Sequence, residues 1–106
     1  VVMKFKPHMA PYQIAVLPLM KKEPLAGKAR ELFEVLQKQF RVEYDVTGSI
    51  GKRYRRQDEI GTPYCVTVDF DTIEKGVVTV RDRDSMEQES VSVEEVSFYL
   101  QSKIVA

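Results

Sequence analysis

Residues 13–45 read QIAVLPLMKKEPLAGKARELFEVLQKQFRVEYD: a short apolar run, a helically spaced stretch, then a second short run. Gln13 to Leu19 is continuously apolar, the pattern of a strand covered on both faces. Pro18 lies at its C-terminal end, where a missing donor costs least. From Pro24 to Phe40, Leu25, Ala29, Leu32, Leu36 and Phe40 share one stripe with Phe33 beside it, which predicts an amphipathic helix. Pro24 suits the first turn, and Gly27 inside costs about 1 kcal/mol relative to Ala. Val42 to Asp45 predicts the second strand. Alternating strands and helices imply a mostly parallel sheet with helices on both faces.

Working outward, Thr47-Gly48-Ser49 is a turn, and Ser49 is placed to cap a helix from Ile50 to Ile60. Gly61 ends that helix and Pro63 prevents its continuation. Tyr64 to Phe70 alternates, with Tyr64, Val66, Val68 and Phe70 on one side and Cys65, Thr67 and Asp69 on the other. Val77 to Asp82 is rich in β-branched residues and is reached through a turn around Asp71–Gly76, short enough for an antiparallel hairpin. Met86 to Val91 is a weaker, polar strand suited to an edge. Ser92 and Glu95 form the capping box of a last helix, with Val93, Val96, Leu100 and Ile104 on its buried stripe. The expected order is β-α-β-α-β-β-β-α, with three helices. In such sheets ligands tend to bind beyond the carboxyl ends of the parallel strands.

A chain of 106 residues has room for one domain. We expect residues 1–12 to be a lead-in and 13–106 the domain, and the start at Val rather than Met suggests a fragment. At 43% hydrophobic and 30% charged the chain can bury a core. One Cys and one His exclude a disulfide framework and a standard zinc site. No apolar run approaches the roughly 20 residues of a membrane span, and no signal-peptide pattern is present. The net charge is zero but uneven: residues 1–22 carry +4, 48–61 carry +2 and 77–106 carry −3. A generic nucleic-acid binder is usually basic throughout, so any nucleic-acid contact here should be local and selective.

A hydrolase needs a nucleophile, a base and an orienting group. His8 lies in the irregular lead-in and Cys65 in mid-strand, so a surface His and a buried Cys are the expected roles. Gly48-Ser49-Ile50-Gly51-Lys52 lacks the spacing of a phosphate-binding loop, though Gly amides and basic residues at a helix start can hold a phosphate. Lys52-Arg53-Tyr54-Arg55-Arg56-Gln57-Asp58-Glu59 reads either as a solvated helix with Arg55 paired to Glu59 or as a helix touching ribose and phosphate. Arg81-Asp82-Arg83-Asp84 reads either as internal pairing or as a base-reading cluster, since carboxylates accept from the cytosine amino group and Arg donates to base edges or stacks on them.

GSIGKRYRRQDEIGTPYCVTVDFDT at Gly48–Thr72, with VTVRDRDSMEQ at Val78–Gln88, AVLPL at Ala15–Leu19 and the KARELFEVL helix, closely resembles the C-terminal anticodon-binding domain of the homodimeric glycyl-tRNA synthetase family. The likeness runs from Tyr12 to Ile104. It implies a three-layer α/β/α sandwich with a five-stranded mixed sheet, order 2-1-3-4-5, and strand 4 antiparallel. It further implies a cytoplasmic, homodimeric parent whose upstream catalytic domain uses ATP and Mg. The class II catalytic motifs have no counterpart here, so this stretch should be inactive alone and hold no metal or cofactor.

Glycine codons begin with two guanines, so the implied partner, a glycine tRNA, presents two adjacent cytosines in its anticodon loop. On this resemblance Arg81, Asp82, Arg83, Asp84, Glu87 and Gln88 are candidates near the bases, with Phe70 or Tyr64 for stacking. Lys52, Arg53 and Arg56 are candidates for the tRNA backbone. Two rival readings are a synthetase-like accessory subunit of a mitochondrial DNA polymerase and a small doubly wound protein-interaction module.

Overall fold

The computed structural model describes residues 12–104 except 21 and 47. The expected lead-in, apart from residue 12, lies outside them, His8 included. Five strands form one sheet in the order β2-β1-β3-β4-β5. Strand β1 (Ile14–Pro18) is an interior strand, parallel to both β2 (Val42–Tyr44) and β3 (Tyr64–Val68). β4 (Val77–Asp82) is antiparallel to β3 and to the edge strand β5 (Gln88–Ser92). Strand order and the single reversed strand are as expected.

The helix count differs: α1 (Leu25–Leu36), α2 (Ile50–Ile60), α3 (Phe70–Lys75) and α4 (Val96–Ile104) make four among the described residues. The extra one, α3, occupies the stretch read as the end of a strand and a turn. Asp69 Oδ1 accepts from the amides of Asp71 at 3.0 Å and Thr72 at 3.3 Å, and Thr72 Oγ1 accepts from the Asp69 amide at 3.1 Å. That reciprocal cap starts a helix as soon as β3 leaves the sheet, and Gly76 at φ +70° stops it. α4 begins later than expected, because Ser92 caps a preceding turn through the Glu94 amide at 3.3 Å. β5 starts two residues later than expected and ends one later, because Met86 turns the chain at φ +63°. α2 has its expected ends, with Ser49 capping the Lys52 amide and Gly61 at φ +92°.

Side-chain alternation divides the sheet into two unlike faces. On one, Ile14, Val16, Tyr64, Val66, Val68, Val78 and Val80 meet Leu25, Ala29, Leu32 and Leu36 of α1 and Val96, Leu100 and Ile104 of α4. On the other, the apolar contact is narrow: Ala15, Leu17 and Cys65 pack with Ile50 and Tyr54 of α2. α2 lies over β1 and β3. Past it, the register puts Thr79 and Arg81 of β4 and Gln88 and Ser90 of β5 on the same side, where Gln88 and Ser90 are exposed.

Candidate nucleic-acid interface

The polar strip on β4 and β5 ends in the turn at residues 83–87, whose backbone is tied at both ends. The Asp82 amide donates to Glu87 O at 2.9 Å, and the Met86 amide donates to Asp82 O at 2.8 Å. Asp82 Oδ1 accepts from the amides of Asp84 at 2.8 Å and Ser85 at 3.3 Å, and Ser85 Oγ accepts from the Glu87 amide at 3.2 Å. The Asp82 carboxylate is thus engaged in holding the turn. Arg83 is turned inward and buried; its Nε donates to Asp58 O at 3.0 Å and its Nη1 to Asp84 Oδ1 at 3.2 Å.

Arg81 stands where the strip meets α2. Nη1 and Nη2 donate to Asp58 Oδ1 and Oδ2 at 3.1 and 3.3 Å, and the guanidinium carbon lies 4.9 Å from the centre of the Tyr54 ring. Burial lowers the Arg81 pKa, but the Asp58 carboxylate outweighs it, and the net shift is upward. The Tyr54 hydroxyl shares a hydrogen bond with Thr67, and burial raises its phenol. Of the six base-contact candidates, internal pairing therefore takes up Arg81, Asp82 and Arg83, together with one carboxylate oxygen of Asp84. Asp84, Glu87 and Gln88 remain exposed at the turn.

The two stacking candidates lie apart. Tyr64 is only 8% exposed and belongs to the apolar core, so its ring has no free face; burial, then Asp82 and Asp84, raise its phenol. Phe70 is 53% exposed, but it follows the carboxyl end of β3, whereas Asp82 pairs with Tyr64 at the amino end. The turn therefore sits at the amino ends of the parallel strands, opposite to where such sheets usually hold ligands.

The backbone candidates also divide. Arg53 is 3% exposed and cannot reach a phosphate; it ties off the ends of β1 and β2 instead. Its Nη1 donates to Pro18 O at 2.5 Å and Asp45 O at 3.4 Å, and its Nε to Gly48 O at 3.2 Å. Arg56 grips both Asp45 carboxylate oxygens at 2.5 and 2.7 Å. Gln57, fully buried, donates to Glu43 Oε2 at 2.7 Å and Asp45 Oδ2 at 3.0 Å, and accepts from Thr62 Oγ1 at 2.7 Å. Lys52 is exposed, and so is Arg55; of the two readings of this run, the one with Arg55 paired to Glu59 is not what the structure forms. Lys52 lies in the first turn of α2 and Arg55 at its middle, while the tied turn packs against Asp58, about 9 Å along the axis from Lys52 for six residues at 1.5 Å each. One RNA loop with its adjoining backbone spans that distance.

Sequence reasoning missed Tyr54, Asp58 and Met86. The first two, four residues apart on α2, share the helix face turned toward β4. Cys65 is buried mid-strand with its thiol pushed up to about 12 by burial, as a structural residue should be. Among the described residues no cluster of His, Cys, Asp and Glu is suited to a metal ion, and no helix is long and apolar enough to cross a membrane.

A five-stranded mixed sheet in this order, with helices packed on both faces, defines a three-layer α/β domain. The family model described as "Anticodon binding domain" matches residues 13–103, and the chain belongs to that family. Among curated relatives, the glycine–tRNA ligase of Clostridium acetobutylicum is 59% identical over 104 residues, covering 98% of this chain and 22% of the relative. That of Clostridium perfringens is 58% identical over 103 residues, and that of Thermobifida fusca 55% over 104. They cover 97% and 98% of this chain, and the chain again spans 22% of each relative's length.

Proposed function

We propose that this chain reads the anticodon of glycine tRNA as the anticodon-binding part of a glycine–tRNA ligase. The observation that carries the reading is the tied turn at 83–87, which offers exposed Asp84, Glu87 and Gln88 at the edge of an uncovered polar strip. Two adjacent cytosines each bring an amino donor, and a fixed carboxylate is the matching acceptor; uracil has a carbonyl there and is repelled. Selectivity then comes from acceptors, and a neutral chain adds little indiscriminate phosphate affinity. Lys52 and Arg55, exposed on α2, take the phosphates that flank the loop.

Activation of glycine, dimerisation and a cytoplasmic location belong in this reading to the parent protein. ATP and Mg belong in this reading to the catalytic domain of that parent. The names of the relatives favour this reading over a polymerase accessory subunit.

The test is binding of an anticodon stem–loop with two adjacent cytosines against one with uracils in their place. Glu87→Gln and Asp84→Asn should each reduce the preference for cytosine roughly 5- to 150-fold, the worth of a specific base contact. Lys52→Ala should weaken both RNAs alike and lower the salt slope by about one phosphate's share. Equal wild-type affinity for both stem–loops rejects the reading. A protein-interaction module would give that result.

A further inference from the structure

The turn after β4 carries a residue that the acceptor chemistry leaves unused. Met86 is the described non-glycine residue with positive φ, at +63°. Glycine adopts that region freely, while a residue with a Cβ does so at about 1–2 kcal/mol. Met86 is also 59% exposed, the apolar member of a turn otherwise made of Arg83, Asp84, Ser85 and Glu87. The conformation therefore costs the fold something and brings little buried surface in return. Backbone strain of this kind is found at ligand-contacting positions.

The exposed side chain is nevertheless held. Met86 Sδ accepts from Arg81 Nη2 at 3.0 Å. The guanidinium that holds it is fixed by two bonds to Asp58 and by the Tyr54 ring, and Tyr54 is itself tied to Thr67. A pliable thioether thus projects into solvent from a rigid mount, one residue before the exposed Glu87 carboxylate.

We infer that Met86 is the surface on which one unstacked cytosine of the RNA loop lies, with Glu87 accepting its amino group and Arg81 positioning the thioether. The inference rests on the proposed anticodon reading for the class of ligand and adds the contact that holds the base. A base drawn out of its stack exposes faces that need a new cover, usually aromatic or guanidinium. This turn has no free aromatic ring, since Tyr64 is buried and Phe70 is at the other end of the sheet. Methionine is unbranched and polarisable and makes favourable contacts with π faces. Arg81 acts through Met86: its terminal nitrogens are already directed at Asp58 and the sulfur.

The experiment binds the chain to a stem–loop with two adjacent cytosines, replacing each in turn with the fluorescent analogue pyrrolocytosine. Met86→Gly should weaken binding about tenfold, within the range of a lost base-stacking contact. It should also abolish the fluorescence change at one cytosine, with the melting temperature unchanged or raised as the φ strain disappears. Met86→Leu should stay within about threefold of wild type. Arg81→Lys should silence the same cytosine as Met86→Gly, a signature that a merely structural role would not give. Full retention of affinity and fluorescence change in Met86→Gly overturns the inference. Should Arg81→Lys fail to melt cooperatively, the Met86 pair alone decides, because it removes no buried contact. A wild-type chain that ignores cytosine sinks the anticodon reading, whereas affinity and fluorescence change kept intact in Met86→Gly sink only the role of Met86.

Discussion

The two faces of the sheet are held by different physics. The α1–α4 face is closed by interdigitated aliphatic side chains, whose burial is non-directional and tolerates small displacements. On the α2 face, the inward positions of the helix are Ile50, Arg53, Tyr54 and Gln57, the spacing of a buried stripe with two polar members. Directional bonds from Arg53 and Gln57 to strand ends fix α2 in one place, and among the described residues each buried side-chain nitrogen and oxygen has a partner. The apolar face supplies most of the stability. The polar face supplies the exact seat of the helix whose far end, through Asp58, aims Arg81 and Arg83.

The largest effect should come from the apolar face. Leu100→Ala removes a fully buried side chain and should cost about 3–5 kcal/mol in a urea melt, with the transition remaining cooperative. A cost below about 1 kcal/mol would break the comparison at its stronger side.

Arg53→Ala should cost about 2–3 kcal/mol, because it leaves buried carbonyls of Pro18 and Asp45 without their donor. Hydrogen exchange should then show α2 amides opening well before those of β1, a local event rather than global unfolding. Uniform loss of protection across both faces would mean that the polar face is integral to the core.

Cys65→Ser tests the narrow apolar contact under α2 and should cost about 1–2 kcal/mol if the hydroxyl finds no acceptor. With its pKa near 12, the native thiol should resist alkylation at pH 8 until the chain unfolds. Fast alkylation of the folded chain would show that α2 lifts readily.

The smallest effect lies at the edge of the apolar face, where the Tyr99 hydroxyl donates to Glu89 Oε2 at 2.5 Å. That bond, with burial, raises the Tyr99 pKa to about 12. The folded value exceeds the unfolded one near 10, so the contribution is whole below pH 10 and is lost as pH rises toward 12. Tyr99→Phe should cost about 1 kcal/mol or less at neutral pH and flatten the stability profile between pH 10 and 12. An unchanged alkaline slope would place the pH dependence elsewhere.

The sheet was legible because β1 is a full apolar run and α1 a clean stripe, signals that depend only on local spacing. The helix α3 was hidden because Phe70 continues the alternation of Tyr64, Val66 and Val68 past the true strand end. Its start was encoded in Asp69 and Thr72, a cap with Thr in place of the usual Glu or Gln. The position of the candidate site, Arg81 to Gln88, was also legible, but the exposure of its members was not. Asp58, which engages Arg81 and Arg83, stands more than 20 residues earlier on another element. Likewise, the run Arg53, Arg55, Arg56 gives three similar cations, and only the convergence of Pro18, Asp45 and Gly48 on one of them buries Arg53.

The interior place of β1 has a kinetic consequence. Ile14 pairs with Tyr64 across 50 residues, whereas Tyr64 pairs with Asp82 across 18. Closing the longer loop costs about 0.9 kcal/mol more in chain entropy. β3, β4 and β5 therefore form the cheaper meander, and β1 docks on a template already in place. On a ribosome the order of synthesis runs the other way. The most apolar of the described strands emerges before the other four and waits, with β2 alone to cover one edge, until residues 64–68 follow. The interval before β3 emerges is when this chain is most exposed to mispairing.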